Sequence, residues 1–414
     1  MEKAIAVIDM KAFYAFVECV DRKLNPFTTP LAVCDEERGK STIVLSVSPY
    51  LKAMGVPSRC RRQELPNIKG MILAKPRMRH YVEKSAEIVS IVLDFVGEDD
   101  IHVYSIDELF VNLGPYLKMY NATPRELTMK IQKEITKRTG LVTTAGVSFN
   151  MLLAKVALDN DAKKKAPYIS VWTKEDIEKK LWKIKPLSKM WGISSGYERK
   201  LNALGIYDVG QLAHADKNFL KHKFGVMGEQ LWNHANGIDD SDIREKYVPE
   251  DTSFTLGQVL MKDYTPKQGR LILKEMNDDL AMRLRDHKKK TRQVGVAVIF
   301  SSKEGGGFAH NVTLDFPTDD TQIIFNDLAA IYDKYIGRHY IKGMHISYGR
   351  LSSGEEEQLS LFESNQTSAE RKALQEVMDE LKHKYGKNIV LRGSALLEES
   401  TAIERHKQIG GHHE

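Results

Sequence analysis

VIDMKAFYAFVE (residues 7–18) and VYSIDELFVNL (residues 103–113) decide how this chain is read. In the first, an apolar strand ends in Asp9. In the second, an apolar hairpin carries Asp107 and Glu108 side by side. Taken singly, Asp9 reads as the cap of a helix beginning near Ala12, and Asp107 with Glu108 as a hairpin turn. Taken together, three carboxylates converging on one spot repel one another unless a cation lies between them. Hard oxygen ligands suit Mg²⁺, which prefers one or two protein carboxylates together with substrate phosphates. Two such ions about 4 Å apart clamp an in-line phosphoryl transfer.

Outward from these motifs, residues 4–10 read as a buried strand and 11–22 as an amphipathic helix. Short strands follow from Leu31 to about Pro66, with a helix at 50–54 and a basic cluster of Arg59, Arg61 and Arg62. Residues 76–98 are helical. A further helix runs from about Pro124 to Thr139, with Thr123 as its cap. TTAGVSF is a strand, and residues 151–158 begin another helix. This alternation predicts a mixed domain, an antiparallel sheet with helices on one face. The character changes near Thr173, where a helical, short-looped stretch to 240 carries Trp182, Trp191 and Trp232. It changes again near Val248. Residues 253–350 then follow a β-α-β-β-α-β order. Residues 354–358 are polar and acidic, QLSLF follows, and a charged helix spans about 368–384. There is no internal repeat.

At 414 residues the chain is too long for one core and predicts three or four domains. Its 42% apolar and 28% charged content is that of a soluble globular protein. Cys19, Cys34 and Cys60 have no metal-like spacing and predict buried thiols in a reducing, cytoplasmic setting. No apolar run approaches the roughly 18 residues needed to span a bilayer, and the N-terminus shows no signal-peptide pattern. The net charge of +5 is mild, so any nucleic-acid surface must come from clustering.

The pairing of IDMKAFYAFVE with YSIDELF resembles the Y-family translesion DNA polymerases, in particular the UmuC-like branch of Gram-positive bacteria. The resemblance covers nearly the whole chain. It implies an α+β multidomain right hand: palm at 1–23 and 75–172, small fingers at 24–74, and a helical thumb at 173–240. A β-α-β-β-α-β little finger at 248–351 and a tail at 352–414 complete it. It further implies that Asp9, Asp107, Glu108 and the Met10 backbone carbonyl hold two Mg²⁺ ions. Tyr14 matches the family's steric gate, whose ring excludes a ribose 2′-hydroxyl, with Phe13 packed beside it. Read without the family, Tyr14 is the buried face of a helix. In VLSVSPYLKAMGV, the family's Tyr and Arg on the triphosphate are replaced by Pro49 and Lys52, leaving Ser48 or Tyr50 as further donors. Lys has no bidentate fork. Lys163, in LDNDAKKKAP, matches a lysine that reaches the triphosphate, while at least two of the three consecutive lysines read as solvated.

WGISSGYERKLNALGI resembles a helix-hairpin-helix, with Gly192 and Gly196 in the turn and backbone N–H groups offered to a DNA phosphate. In MRLRDHKKKTR, the residues Arg283, Arg285, Lys288, Lys289 and Arg292 read either as a solvated face or as a track for the template backbone. Gln358, Leu359, Leu361 and Phe362 resemble the peptide that docks on the bacterial sliding clamp. The competing reading is the first turn of a packed helix.

Two function classes emerge. One is a low-fidelity DNA-directed DNA polymerase without proofreading, acting on primer–template DNA and deoxynucleoside triphosphates, recruited by the clamp and independent of membranes. The other is a catalytically silent regulator that binds DNA and clamp. A pure binder has no need of mutually repelling carboxylates.

Overall fold

A computed structural model describes residues 3–164, 166–245, 248–249, 252–353 and 365–413. The chain divides into two compact units, residues 1–247 and 248–414.

The first unit is built on a five-stranded sheet in the order Ile101–Val103, Glu108–Asn112, Ile5–Met10, Thr143–Ser148, Ile169–Val171. The first three junctions are antiparallel, but Ile169–Val171 runs parallel to Thr143–Ser148, so the sheet is mixed rather than wholly antiparallel. Nor are helices confined to one face. Val7 and Ile8 are both fully buried, and successive strand residues point to opposite faces, so the central strand is covered on both sides. One cover is the helix Met151–Asn160, whose Ala154 and Leu158 pack with Val7 and Phe110. That approach is close because position 146 is glycine: a Cβ there would collide with the Ala154 carbonyl and the Leu158 amide. The helix Pro124–Thr139 starts as expected on Thr123, which forms a capping box with Glu126.

Residues 31–74 form a small three-stranded sheet around Ala32, Cys34, Val47 and Leu51. The helix there spans Pro49–Ala53. Residues 174–235 are helical turns packed around Leu181, Leu187, Leu201, Leu212 and Leu231, with Trp182, Trp191 and Trp232 partly buried at the rim. All three cysteines are buried and free. Burial pushes the Cys19 and Cys34 thiols up to about 11.

The second unit has a four-stranded antiparallel sheet in the order Gly307–Thr318, Lys289–Phe300, Ile341–Ser353, Phe254–Tyr264. Helices Pro266–Asp286 and Thr321–Tyr335 cover its core face. The helix Asn365–Tyr385 and the segment after it fold back on this unit. Arg392 pairs with Asp278, and Arg405 with Asp279.

Candidate active site

The two acidic motifs meet because their strands are neighbours. Asp9 lies opposite Glu108 in the antiparallel register, and the Met10 amide donates to the Asp107 carbonyl at 2.8 Å. Asp9, Met10, Asp107 and Glu108 therefore share one end of the central sheet. Asp9 caps no helix: the following helix, Phe13–Asp21, is entered through Ala12 in the left-handed conformation without a side-chain cap. Asp107 occupies the turn, where Ser105 Oγ donates to it at 2.8 Å. Glu108 opens the next strand and is buried.

Burial, reinforced by the Asp107 charge, raises the Asp9 carboxyl above its ordinary range, with Lys163 opposing. Burial likewise raises Glu108, with Lys155 opposing. Lys155 Nζ lies 2.6 Å from Glu108 Oε2. Lys163 Nζ lies 3.1 Å from Asp9 Oδ2, and Thr144 Oγ1 donates to Asp9 Oδ1 at 3.3 Å. The other Glu108 oxygen, Oε1, is buried and has no hydrogen-bond partner among the described residues. An orphaned buried carboxylate oxygen beside two further carboxylates suits a hard divalent cation. Among the described residues no three His, Cys, Asp or Glu side chains are gathered closely enough to hold a metal ion as they stand, and Lys155 and Lys163 are paired with Glu108 and Asp9.

Beside the carboxylates stands Tyr14, half-buried, its ring 4.7 Å from Tyr81 and 5.6 Å from Phe13. Burial and then the Asp107 charge raise its hydroxyl above the ordinary phenol range. Tyr81 is anchored from behind by its hydroxyl, which donates to the buried Glu18 at 2.7 Å. Phe13 is 2% exposed and offers no open face of its own; it is backing for Tyr14 rather than a nucleotide contact. Lys52 is exposed and feels the charges of Lys11, Asp9, Lys163 and Asp107. Ser48 is spent as a helix cap: its hydroxyl donates to the Thr29 carbonyl at 2.7 Å and accepts from the Leu51 amide. That removes it as a triphosphate donor.

The impB/mucB/samB family model matches residues 8–159, its C-terminal domain model 253–361 and its HHH motif model 174–206. A Bacillus subtilis protein named UvrX, provisionally assigned by that name to UV-damage repair, is 37% identical over 99% of this chain and 97% of its own length. DNA polymerase IV 2 of the same species is 30% identical over 100% of this chain and 99% of its own. A solved Y-family DNA polymerase chimera of Dbh and Dpo4 superposes with a TM-score of 0.67 at 18% identity, covering 84% of this chain and 99% of that one. The chain belongs to the impB/mucB/samB family of Y-family DNA polymerases. With the family comes its class, a DNA-directed DNA polymerase of translesion synthesis.

In this Y-family chain the remaining candidate residues are distributed unevenly. Gly192 adopts φ +88°, which only glycine takes freely, just ahead of the helix Ser195–Asn202. Gly196 lies inside that helix with no positive φ, so the turn does not depend on it. Arg283, Lys288 and Arg292 are exposed, and Lys289 is half-buried. Arg285 departs from the sequence reading: it forks onto Asp379 at 2.6 and 3.2 Å and donates to the Asp319 carbonyl. It is part of the fold and not free for a phosphate. Gln358, Leu359, Leu361 and Phe362 lie outside the described residues. Sequence reasoning missed Lys155, Asp159, Thr144 and Tyr81. The first two left a signal, since Lys155, Asp159 and Lys163 recur every four residues, the spacing of one helix face.

Proposed function

We propose that this polymerase adds deoxynucleotides to a primer opposite damaged template by two-Mg²⁺ nucleotidyl transfer, with low fidelity and no proofreading. The reading rests on one observation: Asp9, Asp107 and Glu108 share a strand-end cluster in which a buried Glu108 oxygen has no hydrogen-bond partner among the described residues. Asp9, Asp107, Glu108 and the Met10 carbonyl would hold the ions. Bound there, the ions neutralise the triphosphate, lower the pKa of the primer 3′-hydroxyl and stabilise the departing pyrophosphate.

The chain's own residues do the rest. Lys52 and Lys163 attract and orient the triphosphate as point charges. Tyr14, braced by Tyr81, underlies the sugar and leaves no volume for a 2′-hydroxyl. The primer 3′-hydroxyl gives its proton to solvent, and its oxygen bonds to the α-phosphorus as the bond to pyrophosphate breaks. Residues 1–23 and 75–172 act as palm, 24–74 as fingers, 173–240 as thumb and 248–351 as little finger. Gly192, with the helix that follows it, and Arg283, Lys288, Lys289 and Arg292 supply sequence-independent contacts to the DNA backbone. Gln358, Leu359, Leu361 and Phe362 dock on a sliding clamp, and the protein works in the cytoplasm; no helix among the described residues is long and apolar enough to cross a membrane.

Primer extension on undamaged and lesion-bearing templates, with Mg²⁺ and with EDTA, tests this reading. Extension past the lesion only with Mg²⁺ is expected. DNA binding without any extension would instead identify a silent regulator.

A further inference from the structure

Lys155, Asp159 and Lys163 form a chain of alternating charge between two carboxylates of the site. Lys155 Nζ lies 2.6 Å from Glu108 Oε2 and 3.3 Å from Asp159 Oδ2. Lys163 Nζ lies 2.8 Å from Asp159 Oδ1 and 3.1 Å from Asp9 Oδ2. The order is Glu108, Lys155, Asp159, Lys163, Asp9. We propose that Lys163 is the resident counter-cation of Asp9, that it competes with a divalent ion for that carboxylate, and that Asp159 is the positioning residue that keeps Lys163 at the site once the ion displaces it. The inference rests on the two-metal reading above.

The two lysines are not equivalent. Lys155 is buried on the helix Met151–Asn160, which is pressed against the sheet at Gly146, and it engages one Glu108 oxygen while Oε1 has no partner among the described residues. It can remain in place while Glu108 binds a cation. Lys163 belongs to a short turn after that helix, and its side chain is 36% exposed, so it has room to swing. Asp9 offers no comparable free oxygen: Oδ2 faces Lys163, and Oδ1 receives Thr144. A divalent ion bonded to an oxygen at about 2.1 Å leaves no place for an ammonium on the same lone pairs. Of the two groups bonded to the Asp9 carboxylate among the described residues, Lys163 is the one with a second anion within reach, Asp159, so it is the one a cation displaces at least loss. Displacement therefore breaks one of its two ion pairs, and the ammonium stays beside the carboxylates where a triphosphate would arrive. Metal entry thus releases a cation for the nucleotide, and by linkage a nucleotide that captures Lys163 tightens metal binding.

The test is Mn²⁺ binding to the full chain without DNA or nucleotide, followed by electron paramagnetic resonance. Lys163→Gln is expected to tighten Mn²⁺ by roughly five- to tenfold, the scale of losing one partly exposed ion pair. In a separate primer-extension assay its KM for deoxynucleotide is expected to rise. Lys163→Arg, which keeps the charge, is expected to stay within about twofold of the parent. Asp159→Asn, leaving Lys163 only Asp9, is expected to weaken Mn²⁺ by about threefold, and the double variant to match Lys163→Gln. If Asp9→Asn abolishes Mn²⁺ binding but Lys163→Gln does not tighten it, the competition is overturned and the metal reading stands. If Asp9→Asn leaves Mn²⁺ binding untouched, the metal reading falls and this inference with it.

Discussion

Tyr14 shows how surroundings bear on the role proposed for one side chain. It lies on a helix face whose neighbours Phe13 and Val17 are buried, so by pattern alone it belongs to the core. It is held half-exposed because Tyr81, tethered to Glu18, fills the space behind it. Tyr14→Ala is expected to raise ribonucleotide incorporation strongly, measured as the ratio of ribo- to deoxynucleotide insertion; an unchanged ratio would make Tyr14 a packing residue. Tyr81→Leu should raise the same ratio more weakly, because Tyr14 keeps its ring but loses its brace. At this scale the carboxylates were legible, since Asp9, Asp107 and Glu108 interrupt apolar strands where charge is costly. Arg285 was not. A run of basic residues does not reveal which one points inward, and its partner Asp379 lies 94 residues away. Lys155 was missed for a related reason: a lysine in an apolar helix reads as one that reaches solvent, whereas this one is paired inside.

Elements were easier to read than their surroundings. The helix cap at Thr123 and the alternating order of residues 253–350 come from local chemistry, which sequence carries directly. The parallel edge strand Ile169–Val171 and the two-sided cover of Val7 and Ile8 come from tertiary packing, which it carries poorly. Gly146 is where packing becomes decisive. Gly146→Ala would press a methyl into the backbone of the helix Met151–Asn160 and should destabilise the fold by about 1–3 kcal/mol, read as a fall in Tm. Nucleotide insertion should fall further than stability alone predicts, because that helix carries Lys155. In the second unit, Asp279 accepts from Arg405 at 2.8 Å and from His406 at 2.8 Å. Burial works against ionising Asp279, but His406 and Arg405 outweigh it and hold the carboxyl below its usual range. A depressed folded pKa gives stability that is full above the unfolded value of 3.8 and is lost as pH falls through the folded one. Arg405→Ala should therefore cost residues 395–407 their amide-exchange protection at pH 7, with less difference from the parent in strong acid. Protection unchanged at pH 7 would show that this pair does not hold the segment.

For the whole molecule, the division into two units separates the proposed chemistry from the proposed clamp contact. All of Asp9, Asp107, Glu108, Lys155 and Lys163 lie in the unit 1–247, whereas Leu361 and Phe362 lie beyond Val248. Burying those two side chains on a clamp should contribute roughly 1.5–3 kcal/mol each before ordering costs. Replacing both with Ala should abolish clamp-stimulated synthesis and leave extension of a short primer nearly unchanged. Loss of basal extension would make the peptide part of the fold instead. The strand-end carboxylates are proposed to perform the chemistry while other surfaces hold the DNA. Single-turnover insertion by Asp107→Ala and Glu108→Ala, measured alongside their primer–template affinity, tests this most directly. Insertion is expected to be lost in both while DNA affinity stays near that of the parent; insertion retained by either variant would overturn the assignment of these carboxylates.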